Sequence, residues 1–380
     1  GGAAVGAIAA LTVAVGSGVK AAMSMEQQIA DIASVMGLAA DQTAPLKGLI
    51  QNLGIDPKLK VSATEAADAI EMLGRNGLRM DDIMDGAARS TILLANATNA
   101  DFGDAADIAT DAMFLFNIQA AKMNDAVNGI ASVTTNSKFG ILDYKLALAQ
   151  AGGVASVVGV EFDDFNTTIA AIAPYFASGS DAGTSFKVFL QNLIPKSNEA
   201  MDAMRGLGLY TGLSKKEFQD AQEKIGKYGE QLAKLDPTSK NYAERSAELK
   251  DKIDILRRSL VEGSNAFYDA DGNMKSMAEV SGILNAALSG LTEEQKSNTL
   301  STIFGTDAMR AAAGMAGYTE EQFLALKGTM GKVDAEEMAA TRMNTLAGAM
   351  EILWGVIDTL KMQIGDAFLP LLRKLAELFT

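Results

Sequence analysis

Apolar side chains recur three or four residues apart along most of the chain, which is the spacing of one face of an α-helix. The clearest run lies within residues 336–380. Its members follow at intervals of 4, 3, 4, 3 and 4: Leu346, Met350, Leu353, Ile357, Leu360 and Ile364. The pattern resumes after a stutter at Phe368, Leu371, Leu375 and Leu378. This spacing predicts a long C-terminal amphipathic helix, kinked at Pro370, whose apolar seam associates with copies of the chain.

A second periodic region, 211–263, is rich in charged residues. Two runs of apolar or small side chains flank a turn that contains Pro237: Phe218, Ala221, Ile225, Tyr228, Leu232 and Leu235, then Tyr242, Ser246, Leu249, Ile253, Leu256 and Leu260. Heptad spacing on both sides of a turn predicts an antiparallel coiled-coil hairpin. Because its other faces are charged, we expect the hairpin to protrude, either as a solvated insertion or as a contact surface.

Short helices are predicted for 61–210, where helix-start signals recur. Ser62 and Glu65 have the spacing of a capping box. Four aspartates each follow an apolar residue within two positions, and we expect each to lie just before a helix and cap it. These aspartates are Asp81, Asp104, Asp143 and Asp163. The segment is therefore predicted to be an array of short antiparallel helices, without a strict sequence repeat.

The segment 264–335 is predicted to be a further helical part of the core. It opens with a tight turn at 269–272, where short side chains and glycine tolerate the required backbone. A helix should follow over about 276–287. Thr292 and Gln295 form a second capping box, and Gly305 should end the helix that begins there.

The first segment, 1–60, opens with an apolar Gly/Ala-rich helix, since residues 1–19 carry no charge. Two explanations stay open. Gly2 and Gly6 would permit close packing against other chains, and the helix is also long enough to match the hydrocarbon thickness of a membrane. The candidate residues for membrane insertion or packing between subunits lie in the first and last helices: Val5, Ile8, Leu11, Val15, Leu353, Trp354, Ile357, Leu360, Ile364 and Phe368. For Trp354, the single tryptophan, a place in a core is the competing expectation.

Composition supports an all-α fold class. Apolar residues make up 48% of the 380 residues and aromatic residues only 6%. Alanine and methionine favour helix, and many small residues allow helices to approach closely. The predicted architecture is an array of short antiparallel helices with the protruding hairpin and the long C-terminal helix.

The residue types present in the chain argue against most kinds of catalytic and metal-binding site. The chain has no histidine and no cysteine, which removes the commonest general base, the usual zinc ligands and thiolate nucleophiles. Asp269, Asp271 and Asn273 resemble part of a calcium loop, but the glycine and the final glutamate are misplaced. We predict no catalytic residue, no metal and no cofactor, and keep an enzyme working through carboxylates alone only as a third hypothesis. The net charge of −14 opposes direct binding to nucleic acid.

Several stretches carry a resemblance to a known family. The sequence from Asp271 through 288–292 to 301–309 resembles the phage tail tape-measure protein family in order and spacing. The similarity extends upstream over about 25–209 and returns at 364–372, so it covers most of the chain. The resemblance implies a structural virion protein, not an enzyme, located inside the tail tube or tail tip.

The same resemblance implies how such a protein works. It sets tail length during assembly and is released at DNA ejection. Its partners would be copies of itself, as a trimer or hexamer, the tail tube and tail tip proteins, and the host membrane at ejection. The alternative is a membrane-inserting, pore-forming protein, in which 1–19 and 352–378 form the pore, and this alternative is compatible with a later stage of the same protein's work.

Overall fold

The computed structural model describes the backbone of residues 2–213, 215–235, 241–261 and 265–377, and their side chains except those of 2–15, 40, 215, 257–261 and 375–376. Within these ranges the regular structure is helical and contains no strand. Two isolated bridges, Tyr210–Asn265 and Tyr268–Met274, are the only β-type pairings there. The predicted all-α class is confirmed.

The α-helices in chain order are α1 Gly2–Met36, α2 Thr43–Gly54, α3 Ala63–Arg75, α4 Met80–Asp82, α5 Ala88–Thr98, α6 Phe102–Phe116, α7 Met123–Asn136, α8 Ile141–Val157, α9 Phe162–Ile172, α10 Gly179–Gln191, α11 Asn198–Gly206, α12 Lys215–Ala233, α13 Tyr242–Val261, α14 Met277–Leu288, α15 Glu293–Ala316, α16 Glu320–Met330, α17 Ala335–Met343 and α18 Leu346–Glu377. A π-helical segment, Ile83–Ala87, joins α4 to α5. Short 3-10 turns lie at Ala40–Gln42, Ala120–Lys122 and Ala173–Tyr175.

Contacts between these helices group the chain into two compact units. Unit 1 comprises Gly1–Gly153, Ala177–Ser180 and Lys327–Thr380, and unit 2 comprises Val154–Phe176 and Asp181–Leu326. Unit 1 therefore joins the first and the last parts of the chain. The boundaries of the five segments proposed from the sequence stay a prediction.

Unit 1 is built from short helices that bury apolar faces against one another. Its core includes fully buried side chains from α2, α3, α5 and α7: Leu46, Ile50, Ile70, Leu93 and Ile130. Burial of each such side chain contributes about 1.5–3 kcal/mol. The predicted capping box at the start of α3 is present, since the Ser62 hydroxyl accepts from the Glu65 amide at 3.2 Å and the Glu65 carboxylate accepts from the Ser62 amide at 2.8 Å.

Unit 2 has an aromatic core. Phe165 of α9, Phe186 and Phe189 of α10, and Phe304 of α15 are all fully buried. The rings follow one another with centroid separations of 6.1, 6.3 and 5.0 Å. Aromatic pairs at such distances add to the stabilisation that their burial already supplies. These four residues therefore tie α9, α10 and α15 together.

Helix α15 is interrupted at Gly305, as its glycine predicted. This residue has φ 78° and ψ 166°, a combination that is accessible essentially only to glycine. The interruption leaves backbone groups without their helical partners, and side chains of α10 and of Asn192, the residue that follows it, supply replacements. Asn192 Nδ2 donates to the Phe304 carbonyl at 2.7 Å, and Ser185 Oγ donates to the Asp307 carbonyl at 2.6 Å. The second capping box is also confirmed, because Thr292 Oγ1 accepts from the Gln295 amide at 3.3 Å.

The expectation that four aspartates cap helices from outside was wrong. They lie inside the first turns of their helices: Asp81, Asp104, Asp143 and Asp163. In this position a carboxylate still complements the helix dipole, but its oxygens are free to reach another helix. The Asp143 carboxylate accepts from the Gly179 amide at 2.9 Å, at the first residue of α10. The residue that caps α6 is Asp101, whose carboxylate accepts from the Asp104 amide at 2.8 Å.

In unit 2, α12 and α13 pack as antiparallel neighbours, with Lys252 Nζ 5.9 Å from the centre of the Tyr228 ring. Of the predicted seam, Ala221, Ser246 and Ile253 are buried. Phe218 is instead 41% exposed. The coiled-coil geometry and the protrusion of the hairpin stay predictions.

Candidate functional site

Helix α18 has two different apolar sides, and unit 1 uses only one of them. The inward side is made of small residues and one methionine: Gly348, Gly355, Thr359, Met362 and Gly365. Met362 is the only large apolar side chain on α18 that the structure describes as buried, at 2% exposed. The helix therefore docks mainly by close approach of backbone, not by insertion of large side chains.

The closest approach is between α18 and α1. A Cβ built on Gly18 would lie 2.6 Å from the Lys361 carbonyl oxygen, and a Cβ built on Gly365 would overlap the Gly18 carbonyl. About two helical turns further along both helices, Glu26 of α1 forms an ion pair with Arg373 of α18. Since residue numbers rise together in both helices, α1 and α18 run parallel. Their crossing point requires glycine on both helices.

Thr359 joins α18 to two other helices of unit 1. Its side chain is fully buried. The hydroxyl donates to the Gly355 carbonyl at 2.9 Å, lies 3.2 Å from the Gly54 carbonyl at the end of α2, and accepts from the Ala63 amide at 3.3 Å at the start of α3. One hydroxyl therefore forms hydrogen bonds with backbone groups of three helices, as expected for a polar group buried away from water.

Charged residues on the flanks of α18 are paired with the body of unit 1. Asp366 forms an ion pair with Lys47 at 2.7 Å and accepts a hydrogen bond from Gln51 Nε2 at 2.9 Å. Glu351 forms an ion pair with Lys60. These pairs join α18 to α2 and to the segment that precedes α3.

The outward side of α18 carries the predicted seam. Its large apolar side chains have exposed fractions between 39% and 82%: Leu346, Met350, Leu353, Trp354, Leu360, Ile364, Phe368, Leu371 and Leu372. Ile357, also of the seam, is half-buried. A solvent-facing helix side usually carries polar residues, and contiguous exposed apolar patches of this kind mark interaction sites.

The structure thus brings six of the ten candidate residues to one face of one helix: Leu353, Trp354, Ile357, Leu360, Ile364 and Phe368. Trp354 is 55% exposed, so the competing expectation of a core tryptophan was wrong. The other four, Val5, Ile8, Leu11 and Val15, lie in α1, and their side chains are outside the described part of the chain.

Sequence reasoning missed the inward face. It considered only the large apolar residues of α18, whereas Gly355 lies against the backbone of Val61 and Ser62, just before α3, and Gly365 lies against the backbone of α1. The available signal was the spacing of Gly348 and Gly355, one heptad apart on the side opposite to the seam. Small residues at such spacing indicate a close helix contact, although they do not say which helix makes it.

The segment that resembled part of a calcium loop is a turn held by its own side chain. The Asp269 carboxylate accepts from the amides of Asp271 at 2.9 Å and Asn273 at 2.8 Å. The Asn273 amide, with other backbone amides of the turn, lowers the pKa of Asp269. In the part of the chain that the structure describes, no three His, Cys, Asp or Glu side chains cluster as a metal site would require.

Among the residues whose side chains the structure describes, which leave out 2–15, no helix combines the length with the apolar character needed to cross a bilayer. The predicted insertion of residues 1–19 therefore lies largely outside the described residues. The exposed apolar residues of α18 alternate with Glu351, Asp358 and Asp366 on its other sides.

The described regular structure is helical, and one long helix of unit 1 exposes an apolar side of the kind that marks an interaction site. Comparison with known proteins makes this specific. The model of the phage-related minor tail protein family matches residues 47–305, which is more than half of the chain. The chain belongs to this family, and the predicted resemblance to phage tail tape-measure proteins is confirmed.

Two curated relatives are tape-measure proteins. The chain is 22% identical over 374 residues to "Tape measure protein" of Pneumococcus phage Dp-1, covering 98% of this chain and 27% of that protein. It is 29% identical over 223 residues to "Probable tape measure protein" of Escherichia phage P2, covering 57% of this chain and 26% of that protein. The chain thus spans about a quarter of the length of these relatives. No solved structure matches it significantly.

Proposed function

We propose that this chain is the folded core region of a tape-measure protein, lies inside the tail tube or tail tip of a phage or tail-like particle, and acts without catalysis. In this proposal the full-length protein sets tail length during assembly and leaves with the DNA at ejection. The observation that carries it is the similarity to the Dp-1 protein over 98% of the chain, which is far more than a shared motif.

The helix lengths indicate which part of that task the region performs. A continuous α-helix has a fixed rise of about 1.5 Å per residue and can therefore measure distance. Here most helices are short and pack against one another in two compact units, so their residue count does not translate into length. We therefore assign the ruler to other parts of the full-length protein, and to this region a role in starting or organising assembly.

The charge of the chain fits a passage for DNA. With a net charge of −14, the chain repels a phosphate backbone, whereas proteins that grip DNA neutralise its phosphates with lysine and arginine. We propose that the region contacts the tail tube and tail tip proteins and other copies of itself, and that DNA passes without being bound directly.

Deletions in a phage that encodes the full-length protein test the proposal. Removal of 267–315 takes away α14 and all but the last residue of α15, including the buried Phe304, and we expect no complete tails. A deletion of equal length in a continuous helical part outside this region should instead shorten the tails by about 1.5 Å per residue. Electron micrographs of the particles measure both outcomes. Tails of normal length that remain infectious without 267–315 would contradict the proposal.

A further inference from the structure

We propose that the bend in α15 forms a binding site for the C-terminal end of another polypeptide, whose last residue is apolar and carries a free carboxylate. The site lies within unit 2 and is built from α14, both halves of α15 and Tyr175. The site and the chemistry of its ligand are argued from these residues alone. That the bound chain belongs to a tail protein rests on the proposed function.

The interruption at Gly305 folds α15 back toward itself. Twelve residues of continuous α-helix span about 18 Å, yet Ser297 Oγ lies 4.0 Å from Met309 Sδ, twelve positions later. The two halves, 293–304 and 306–316, therefore face each other, and both line a recess of about 390 Å³. A recess of this size is within the range of sites that bind small ligands.

Hydrogen bonds from α14 keep the recess in shape. Ser281 Oγ donates to the Met315 carbonyl at 2.6 Å, and Asn285 Nδ2 donates to the Ala316 carbonyl at 2.8 Å. Both carbonyls lie at the end of α15, so the second half of this helix is fixed to α14. The recess is therefore part of the packed structure of unit 2 and does not have to form when a ligand arrives.

Much of the lining is apolar. It includes one side chain of α14 and three of α15: Leu288, Leu300, Met309 and Ala313. Tyr175, whose side chain is 46% exposed, adds an aromatic ring. Methionine adapts its shape to what it contacts, so this part of the recess suits an apolar side chain of a ligand.

Arg310 supplies a positive charge that the chain itself leaves unpaired. Its guanidinium carbon Cζ lies 4.6 Å from the centre of the Phe176 ring, and Phe176 is 2% exposed. Stacking on a ring uses the face of the guanidinium and leaves the N–H groups at its edge available to a carboxylate. Acidic residues outnumber basic ones by 47 to 33, yet within the described ranges no carboxylate forms an ion pair with Arg310.

The other two charges in the lining belong to Lys296 and Glu293. They pair at 2.9 Å, and the Glu293 side chain is 91% exposed. An exposed pair of this kind is weak, so a carboxylate entering the recess competes with Glu293 for Lys296. With Arg310 included, the lining carries two positive charges and one negative charge, on a chain whose net charge is −14. An anionic ligand is complementary to this lining.

The apolar and basic parts of the lining together specify the ligand. A phosphate group alone would satisfy the basic residues and leave the apolar part unfilled. The last residue of a polypeptide carries an apolar side chain and a carboxylate on the same carbon atom, and capture of a terminal carboxylate is a recurring mode of recognition. Walls from Tyr175, α14 and both halves of α15 surround the recess, which suits the end of a chain better than a strand that runs through.

Binding of N-acetyl-leucine to the full 380-residue chain tests the site, and the amide of the same compound is the matched neutral probe. The readout is the methyl NMR signal of Met309, identified with the variant Met309→Leu. We expect N-acetyl-leucine to shift this signal with a dissociation constant in the millimolar range. The amide should bind about tenfold more weakly, because it lacks the charge-assisted hydrogen bonds. Equal binding of the two probes would overturn the proposal.

Two variants locate the ligand. Arg310→Met keeps an apolar stem but removes the charge, and it should weaken binding of N-acetyl-leucine about tenfold. Ala313→Phe fills the recess and should abolish binding. Arg245→Met, at an exposed arginine of α13, is the control and should bind like the unchanged chain. Thermal melts verify that the variants fold, and retained binding in folded Arg310→Met or Ala313→Phe would overturn the proposal.

Two further probes test whether the carboxylate is that of a chain end. A short peptide with leucine followed by glutamate and an amidated end represents an internal acidic segment. Inorganic phosphate represents an anion without an apolar group. Both should bind more weakly than N-acetyl-leucine. A shift of the Met309 signal at equal or lower concentration of either probe would overturn the assignment to a C-terminal residue.

These outcomes are separate from the test of the proposed function. If N-acetyl-leucine does not bind, the inference fails, while tails that are incomplete without 267–315 would still support a tape-measure core. If the probe binds at the bend in α15 but tails assemble normally without 267–315, the site stands and the function proposed for the region fails.

Discussion

The carbonyl oxygen of Gly18 overlaps the position that a Cβ atom would occupy if residue 365 were not glycine. This relationship joins the first long helix of the chain to the last one. It means that the position of α18, and with it the direction in which the seam faces, depends on the absence of a methyl group at one residue.

Gly365→Ala is therefore expected to destabilise unit 1. Alanine is the better helix former by about 1 kcal/mol, but overpacking at a closed contact costs about 1–3 kcal/mol and forces the backbones apart. Urea denaturation followed by Trp354 fluorescence should show a lower midpoint. Gly16→Ala is the control, since its added methyl meets nothing within 4 Å and should leave the midpoint unchanged or raise it. Equal midpoints for the two variants would refute the close contact.

Thr359→Val should also loosen α18, for a different reason. The substitution keeps the shape of the side chain but removes the hydroxyl that serves Gly54 and Ala63. Buried backbone groups that lose their partner cost about 1–3 kcal/mol. Hydrogen exchange of peptides covering the end of α2 and the start of α3 should become faster. Thr302→Val, on the exposed side of α15, provides the comparison and is expected to alter neither peptide.

Gly305→Ala tests the interruption of α15 in unit 2. A residue with a side chain at φ 78° and ψ 166° costs about 1–3 kcal/mol. We expect faster hydrogen exchange in α10 and α15, because Ser185 of α10 and Asn192, the residue after α10, donate hydrogen bonds to the carbonyls beside the interruption. Gly290→Ala, at an exposed glycine without neighbours within 4 Å, should behave like the unchanged chain. Unchanged exchange in Gly305→Ala would mean that the interruption is not needed.

The ion pairs of Lys145 predict a dependence of stability on pH. Lys145 donates to Asp104 and Asp107 at 2.7 Å each. Burial raises the pKa of Asp107, but hydrogen bonds from Lys145 and Asn76 outweigh it, and the pKa lies below its ordinary value. A carboxyl with a lowered pKa stabilises the fold above its unfolded pKa, near 3.8, and this contribution is lost as the pH falls through the folded pKa.

Lys145→Met should remove that part of the acid dependence. Exposed pairs contribute about 0.2–1 kcal/mol each, so the variant should be less stable than the unchanged chain at pH 6 and approach it at acid pH below 3. Thermal melts across this range measure the difference. Lys361→Met, whose pair with Asp358 lies on one helix surface, is the comparison and should show a smaller effect. A constant difference at every pH would indicate that Lys145 acts through packing alone.

The sequence predicted those features that depend on local spacing. The steps of four and three residues that end at Ile364 located α18, and the pairs Ser62–Glu65 and Thr292–Gln295 located two helix starts. These features depend on residues that are neighbours along the helix, so their physics is contained in a short stretch of chain.

What the sequence could not predict depends on contacts between distant residues. The partner of Asp143 is an amide of α10, and the partner of Thr359 includes the end of α2, which lies about three hundred residues earlier. Spacing also left open which of two apolar sides of α18 would be buried. The side with small residues is the buried one because the backbones of neighbouring helices can approach it closely. This close approach is a property of the assembled helices and not of α18 alone.

The parallel course of α1 and α18 has a mechanical consequence. A pull toward the N-terminus on α1 and toward the C-terminus on α18 would slide the two helices past each other along their length. The glycine crossing, the Thr359 hydrogen bonds and the ion pair of Glu26 with Arg373 would then carry the load at the same time. In a geometry that peels the helices apart, these contacts would break one after another. Unit 1 is thus arranged to hold under tension applied through its first and last helices.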